Sequence, residues 1–284
     1  MKQVEVDGLT VAYREQGEGP AVLLLHGWPT SSYLWRDVMQ PIAAANRVVA
    51  VDLPGFGASS KPLDAGYGFD FHAGVLDGFL AELEIERVAL AVHDLGGPIG
   101  LDWARRNPDR VTALALLNTL IYPEFSSAVL AFVEACVKPE TREFLSSPEG
   151  LKAAMELGLA DPARLSDEVL AAVREPFATD GARTALMDAG KGLEPAGFER
   201  IAAWLPTIEF PVRAIYGAQD KILPDIAETM TRLAADIPQA EITALPDCGH
   251  FLQEESPTQI GTLLADFFAA VPSSPSRSLP NPQH

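Results

Sequence analysis

The chain has only two cysteines in 284 residues, Cys136 and Cys248. Neither stands in a metal-ligand spacing, so no disulfide framework is expected and a reducing cytoplasm fits. Cations are scarce as well: 21 Lys and Arg against 39 Asp and Glu leave a net charge of −18, which argues against nucleic acid and anionic membranes as partners. No apolar run is long enough to span a bilayer, and the opening Met1-Lys2-Gln3-Val4-Glu5-Val6 alternates like a strand instead of forming a signal core. In Asp52-Leu53-Pro54-Gly55-Phe56-Gly57 the third glycine and the Walker lysine of nucleotide loops are missing, so the segment reads as a turn. The partner left by these absences is a small-molecule substrate. Oligomeric state is not readable.

What the sequence does have is apolar material, 48% of its residues, enough for one large domain with an insertion. Two alternating strands broken at Asp7-Gly8 predict a hairpin over 4–15. Continuous apolar runs at Ala21–Leu25, Arg47–Val51, Val88–Val92 and Val111–Leu117, separated by helical stretches at about 32–45, 69–84 and 96–107, predict a parallel sheet flanked by helices. From Tyr122 to about Trp204 there is no convincing strand. Only helical segments punctuated by Pro139, Pro148, Gly158, Pro162, Pro176, Gly181, Gly190 and Pro195 appear there, which predicts a helical cap over the strand ends. Strands at 211–217 and Glu241–Leu245, with helices at 223–237 and 258–271, complete the sheet. The expected division is a core over 1–121, a cap over 122–205, the rest of the core over 206–271, and a disordered Ser/Pro-rich tail over 272–284.

The organising stretch runs from Arg87 to Gly100. A buried strand leads into His93-Asp94-Leu95-Gly96-Gly97 and then at once into a helix, the strand–turn–helix of a nucleophile elbow in the α/β-hydrolase fold. The elbow position carries Asp94, not serine. A carboxylate attacking a carbonyl would gain nothing, whereas displacement at a saturated carbon gives an alkyl ester that water can open. Carbon–halogen bonds and epoxide rings are the targets this chemistry suits.

Ligands of an open parallel sheet gather at the carboxyl ends of its strands. Those ends deliver Asp94, then Asp220, then His250, in the chain order nucleophile, acid, histidine. His250 is the expected base for water, and Asp220 the carboxylate that orients it. Asn118 cannot supply that charge, and Asp225 and Asp247 are rivals, the latter in what reads as a turn. The backbone N–H groups of Leu95 and Trp28 are the expected oxyanion donors; the Trp28 indole is either a donor to a leaving halide or a packed core ring with its N–H on a carbonyl. His26 and His93 are expected to hold loops, and His72, Trp35 and Trp103 to be packed. No metal or organic cofactor is required.

His26-Gly27-Trp28-Pro29-Thr30-Ser31-Ser32, His93-Asp94-Leu95-Gly96-Gly97-Pro98 and His250-Phe251-Leu252-Gln253-Glu254 resemble the oxyanion loop, elbow and histidine loop of haloalkane dehalogenases. The resemblance covers the core, about two-thirds of the chain. It implies a hydrolase that cleaves small uncharged haloalkanes, with epoxide hydrolase as the alternative on the same Asp94, Asp220 and His250. A binding protein on this scaffold is the reading outside enzymes. Two departures stand out: Leu95 replaces the tryptophan usual after the nucleophile, and Trp28 stands where dehalogenases tend to have asparagine. Halide stabilisation is then expected from Trp28 and a cap residue such as Trp204. Epoxide opening would need a cap tyrosine, and only Tyr122 is available, since none follows before Tyr216. Phe125, Phe132, Phe144, Met155 and Phe177 are the expected apolar lining.

Overall fold

Two alternating strands, β1 (Lys2–Val6) and β2 (Leu9–Gln16), pair antiparallel across Asp7-Gly8. Both turn residues take positive φ, 49° and 81°, as a two-residue hairpin of this hand requires. The computed structural model describes residues 1–271; the tail expected over 272–284 lies outside the described residues.

The remaining strands are β3 (Ala21–Leu25), β4 (Arg47–Val51), β5 (Val88–Asp94), β6 (Val111–Thr119), β7 (Val212–Gly217) and β8 (Glu241–Leu245). They run parallel in one eight-stranded sheet ordered β1-β2-β4-β3-β5-β6-β7-β8, with β2 antiparallel to β4. Val22–Leu25 on β3 and Leu90–Val92 on β5 are fully buried. Strands covered on both faces need no polar alternation, which is why these segments read as unbroken apolar runs. Each such side chain contributes about 2 kcal/mol by leaving water.

Helices α1 (Met39–Ile42), α2 (Phe69–Glu82) and α3 (Gly96–Arg106) connect the first parallel strands. The single helix expected over 32–45 is instead a 3₁₀ turn at Ser32–Trp35 followed by the one-turn α1. Pro41 has no N–H to bond the carbonyl four residues back, so a helix running through from Ser32 cannot form. The Ser32 N–H donates to Asp52 Oδ1 at 2.7 Å instead.

Six helices and no strand separate β6 from β7: α4 (Ser127–Val137), α5 (Pro139–Leu145), α6 (Pro148–Gly158), α7 (Asp167–Arg174), α8 (Asp180–Lys191) and α9 (Pro195–Trp204). Side chains of Ser126, Ser147, Ser166 and Thr179 cap α4, α6, α7 and α8, and Pro139, Pro148 and Pro195 stand at first helical positions, where no N–H is needed. Gly181 and Gly190 break nothing, since both lie inside α8. A Cβ on Gly190 would come within 3.2 Å of Phe132 and Cys136, so this glycine lets α4 and α8 approach. Helices α10 (Ile226–Asp236), α11 (Leu252–Glu255) and α12 (Pro257–Ala269) complete the fold. Both cysteines are free and buried. Among the described residues no helix is long and apolar enough to cross a membrane.

Candidate active site

Strand β3 has β4 on one side and β5 on the other, so the connections after β3 and after β5 leave in opposite directions and open a crevice at the strand ends. Asp94 closes β5 inside that crevice with φ +51°, a left-handed conformation that Asp tolerates better than most residues but that still costs about 1 kcal/mol. Its neighbours fix the bend. A Cβ on Gly96 would lie 2.4 Å from the His26 carbonyl, and one on Gly27 would lie 2.2 Å from Asp94 Oδ1. Thr119 Oγ1 donates to the Asp94 carbonyl at 2.7 Å, steadying the peptide that carries the turn.

The three residues singled out by chain order meet here. His250 Nδ1 is 2.8 Å from Asp220 Oδ2, and its Nε2 lies 3.3 Å from Asp94 Oδ2 in an orientation that makes no hydrogen bond. Burial opposes a charged imidazole, but Asp220 by charge and hydrogen bond, with Asp94 behind it, raises His250 to about 10. Burial likewise opposes ionisation of Asp220, and the His250 charge overrides it and holds the carboxyl at about 2. Asp94 is lowered in the same way: burial works against its charge, and the adjacent His250 imidazole prevails.

Asp94 Oδ1 accepts the Trp28 N–H at 2.7 Å, and the adjacent Leu95 backbone N–H favours the charged form of the same carboxylate. Two backbone donors thus face one carboxyl group, the arrangement an oxyanion needs. A cavity of about 320 Å³ opens above it, with Trp28, Asp94, Leu95 and His250 at its reactive end and Phe132, Phe144 and Leu157 among its apolar walls. The buried Trp28 Nε1–H has no acceptor in the protein.

Several expected residues lie elsewhere. Trp204 packs at a tilt against Phe210 and does not line the cavity, so its indole does not face the reactive end. Tyr122 donates to Asp236 at 2.7 Å and lies under Arg232; burial and Asp236 raise its phenol, and it does not line the cavity. Phe125 packs on Phe198 and Phe177 on Phe56, while Met155 is wholly buried among the helices. Asp247 is exposed and Asp225 precedes α10, so neither faces the imidazole. Lys221 joins the lining instead, and its position beside Asp220 was the only signal for it.

Further groups brace these residues. Asn118 Nδ2 donates to Asp220 Oδ2 at 2.6 Å, and the Ile222 and Leu223 N–H groups hold Oδ1 at 2.8 Å each. His93, kept neutral by burial at about 3, donates from Nε2 to the His250 carbonyl at 2.9 Å. His26 accepts the Leu53 N–H through Nε2 at 3.0 Å, so both histidines fasten loops. His72 is buried without a polar partner and lowered to about 3, chiefly by burial.

Residues 20–257 match the family model for the alpha/beta hydrolase fold. A haloalkane dehalogenase of Sphingobium indicum is 32% identical over 291 residues, covering 94% of each chain. A haloalkane dehalogenase of Agrobacterium fabrum is 32% identical over 271 residues, covering 90% of this chain and 88% of its own. The crystal structure of a haloalkane dehalogenase from Bradyrhizobium elkani superposes with a TM-score of 0.84 at 29% identity, over 95% of this chain and 97% of that one.

Proposed function

The chain belongs to the α/β-hydrolase fold family and, within it, to the haloalkane dehalogenases, and from that premise we propose that it hydrolyses the carbon–halogen bond of uncharged haloalkanes through an alkyl ester on Asp94. The observation that carries the mechanism is the disposition of the Asp94 carboxylate, one oxygen held by the Trp28 N–H and the other turned toward His250 Nε2. Oδ2 attacks the carbon bearing the halogen. A carbon–oxygen bond forms as the carbon–halogen bond breaks, and the electron pair leaves with the halide. The Trp28 Nε1–H, without an acceptor of its own, is the donor for that halide.

Alkylation neutralises Asp94 and so removes one of the two carboxylates that hold a proton on His250. His250 then gives that proton to solvent, and the neutral Nε2 takes a proton from water as the water oxygen adds to the ester carbon. Oδ1, held by the Trp28 N–H with the Leu95 N–H as the second donor in this reading, becomes the oxyanion. Collapse expels the alkoxide, which takes the hydroxyl proton and leaves as the alcohol, and His250 is left protonated beside the two carboxylates as at the start. One haloalkane and one water give one alcohol, one halide and one proton.

The apolar walls support uncharged substrates, and two free buried thiols together with the acidic surface support a cytoplasmic setting without nucleic-acid or membrane partners. The helices over 127–204 serve as the lid of the cavity in this reading. His250→Ala removes the base and leaves the nucleophile. Incubated with 1-bromohexane, that variant should gain the mass of a hexyl group on the Asp94 peptide while releasing one bromide per chain. A wild-type protein that frees no bromide, with a variant that gains no mass, would overturn the proposal.

A further inference from the structure

The loop carrying His250 is tied to the helical insertion by a side chain outside the triad. Glu255, on α11, is 6% exposed and spends its whole carboxylate on backbone donors. Oε2 accepts the Gly249 N–H at 2.6 Å, and Oε1 accepts the N–H groups of Ala160 at 2.9 Å and Asp161 at 3.3 Å. Gly249 immediately precedes His250, and Ala160 and Asp161 follow the end of α6. A second tie runs beside it, because the His250 N–H donates to the Gly158 carbonyl at 2.6 Å. A Cβ on Gly249 would lie 2.4 Å from that carbonyl, so the two segments touch backbone to backbone. Helix α6 also supplies Gly150, Ala154 and Leu157 to the cavity wall.

We propose that Glu255 is a positioning residue for the second half of the reaction, setting where His250 Nε2 stands relative to the ester on Asp94 by locking the histidine loop to the insertion. This inference rests on the two-step reading above. The first step does not use the imidazole as a base, whereas the second needs Nε2 within hydrogen-bond reach of a water poised at the ester carbon. A misplacement of about 1 Å in such a geometry costs about a hundredfold. A carboxylate suits the task because it accepts on both oxygens. Glu255→Gln keeps the shape but turns an NH₂ toward one of the backbone N–H groups, so one side of the tie opens.

Single turnovers with enzyme in excess over 1-bromohexane separate the steps, since bromide release reports alkylation and hexanol formation reports hydrolysis. Glu255→Gln should release bromide within about threefold of the wild-type rate while hexanol formation slows ~10- to 100-fold, with a hexyl adduct in the intact mass between the two events. In steady state kcat and KM fall together and kcat/KM stays. Glu255→Asp, which keeps two acceptor oxygens on a shorter stem, should recover part of the hydrolysis rate, and it carries the same test should the Gln variant not fold. A residue serving stability alone would lower the active fraction without lengthening the life of the adduct, so hexanol would follow bromide with the wild-type delay. That result, hexanol appearing without delay, or failure of both variants to fold would overturn the inference. Absence of bromide from the wild-type protein would instead sink the underlying reaction.

Discussion

In the resting protein His250 stands between two carboxylates, and its raised pKa of about 10 has consequences in both stability and rate. Stability gained from a raised histidine is full below its ordinary 6.5 and is lost as pH climbs toward 10. The melting temperature should therefore fall over that interval, and His250→Ala should flatten the decline; an equal slope in both would contradict the assignment. Asp220, held at about 2, works in the opposite sense: its contribution is full above the ordinary carboxylate range and disappears only as pH falls through about 2. Because alkylation discharges Asp94, hydrolysis in single turnovers should rise with pH along a limb whose apparent pKa lies below 10, while bromide release stays flat across the same range. At Trp28, replacement by Phe keeps the ring and removes the Nε1–H. Losing one hydrogen bond to a halide is worth about 1.5 kcal/mol, so alkylation should slow by about tenfold, and chloride, the poorer leaving group, should suffer more than bromide. Equal rates for wild type and variant on both halides would remove the indole from the reaction.

At the scale of elements, the elbow depends on the close approach of α3 to the loop after β3. Gly96→Ala would press a methyl group 2.4 Å from the His26 carbonyl and 2.7 Å from that of Leu25, both backbone atoms that cannot swing aside. Destabilisation of at least about 2 kcal/mol is expected, seen as a lowered denaturant midpoint, together with loss of activity; an unchanged midpoint would mean the bend is not set by this contact. The elements themselves were readable to different depths. Strands such as those at Ala21–Leu25 and over 48–51 announce themselves because burial on both faces leaves no polar residue in them, and the elbow because the close approach behind Asp94 admits only glycine at 96 and 97. The helix over 32–45 misled because its apolar spacing is helical while Pro41 forbids continuity. Gly190 misled for the converse reason, since a glycine that breaks a helix and one that admits a neighbour look alike in a chain. The triad was legible from strand ends alone. The groups around it were not: Asn118 bonds Asp220 across 102 positions, and Glu255 bonds Ala160 across 95, and no local pattern encodes such meetings. Tyr122 and Trp204 failed as cavity residues for the same reason, each having a chemically apt side chain engaged by a partner, Asp236 or Phe210, that does not line the cavity.

Taken whole, the molecule sets a small polar end against a long apolar wall. Phe144 and Leu157 line the cavity yet remain 57% and 52% exposed, so a substrate tail has apolar surface to cover beyond the reacting carbon. Each methylene buried adds about 0.8 kcal/mol, and kcat/KM for unbranched 1-bromoalkanes should rise about fourfold per carbon from butyl until the wall is covered; a flat series would mean that the tail stays in water. The insertion, the sheet and the histidine loop together serve one claim, that an oxygen of Asp94 becomes bonded to substrate carbon. That claim is tested most directly by one turnover of the intact enzyme, in excess over 1-bromohexane, in water enriched in ¹⁸O. The account predicts hexanol carrying ordinary oxygen, with the heavy isotope found in the peptide that contains Asp94. Heavy oxygen in the first hexanol released, and none in that peptide, would mean that water attacks the carbon itself.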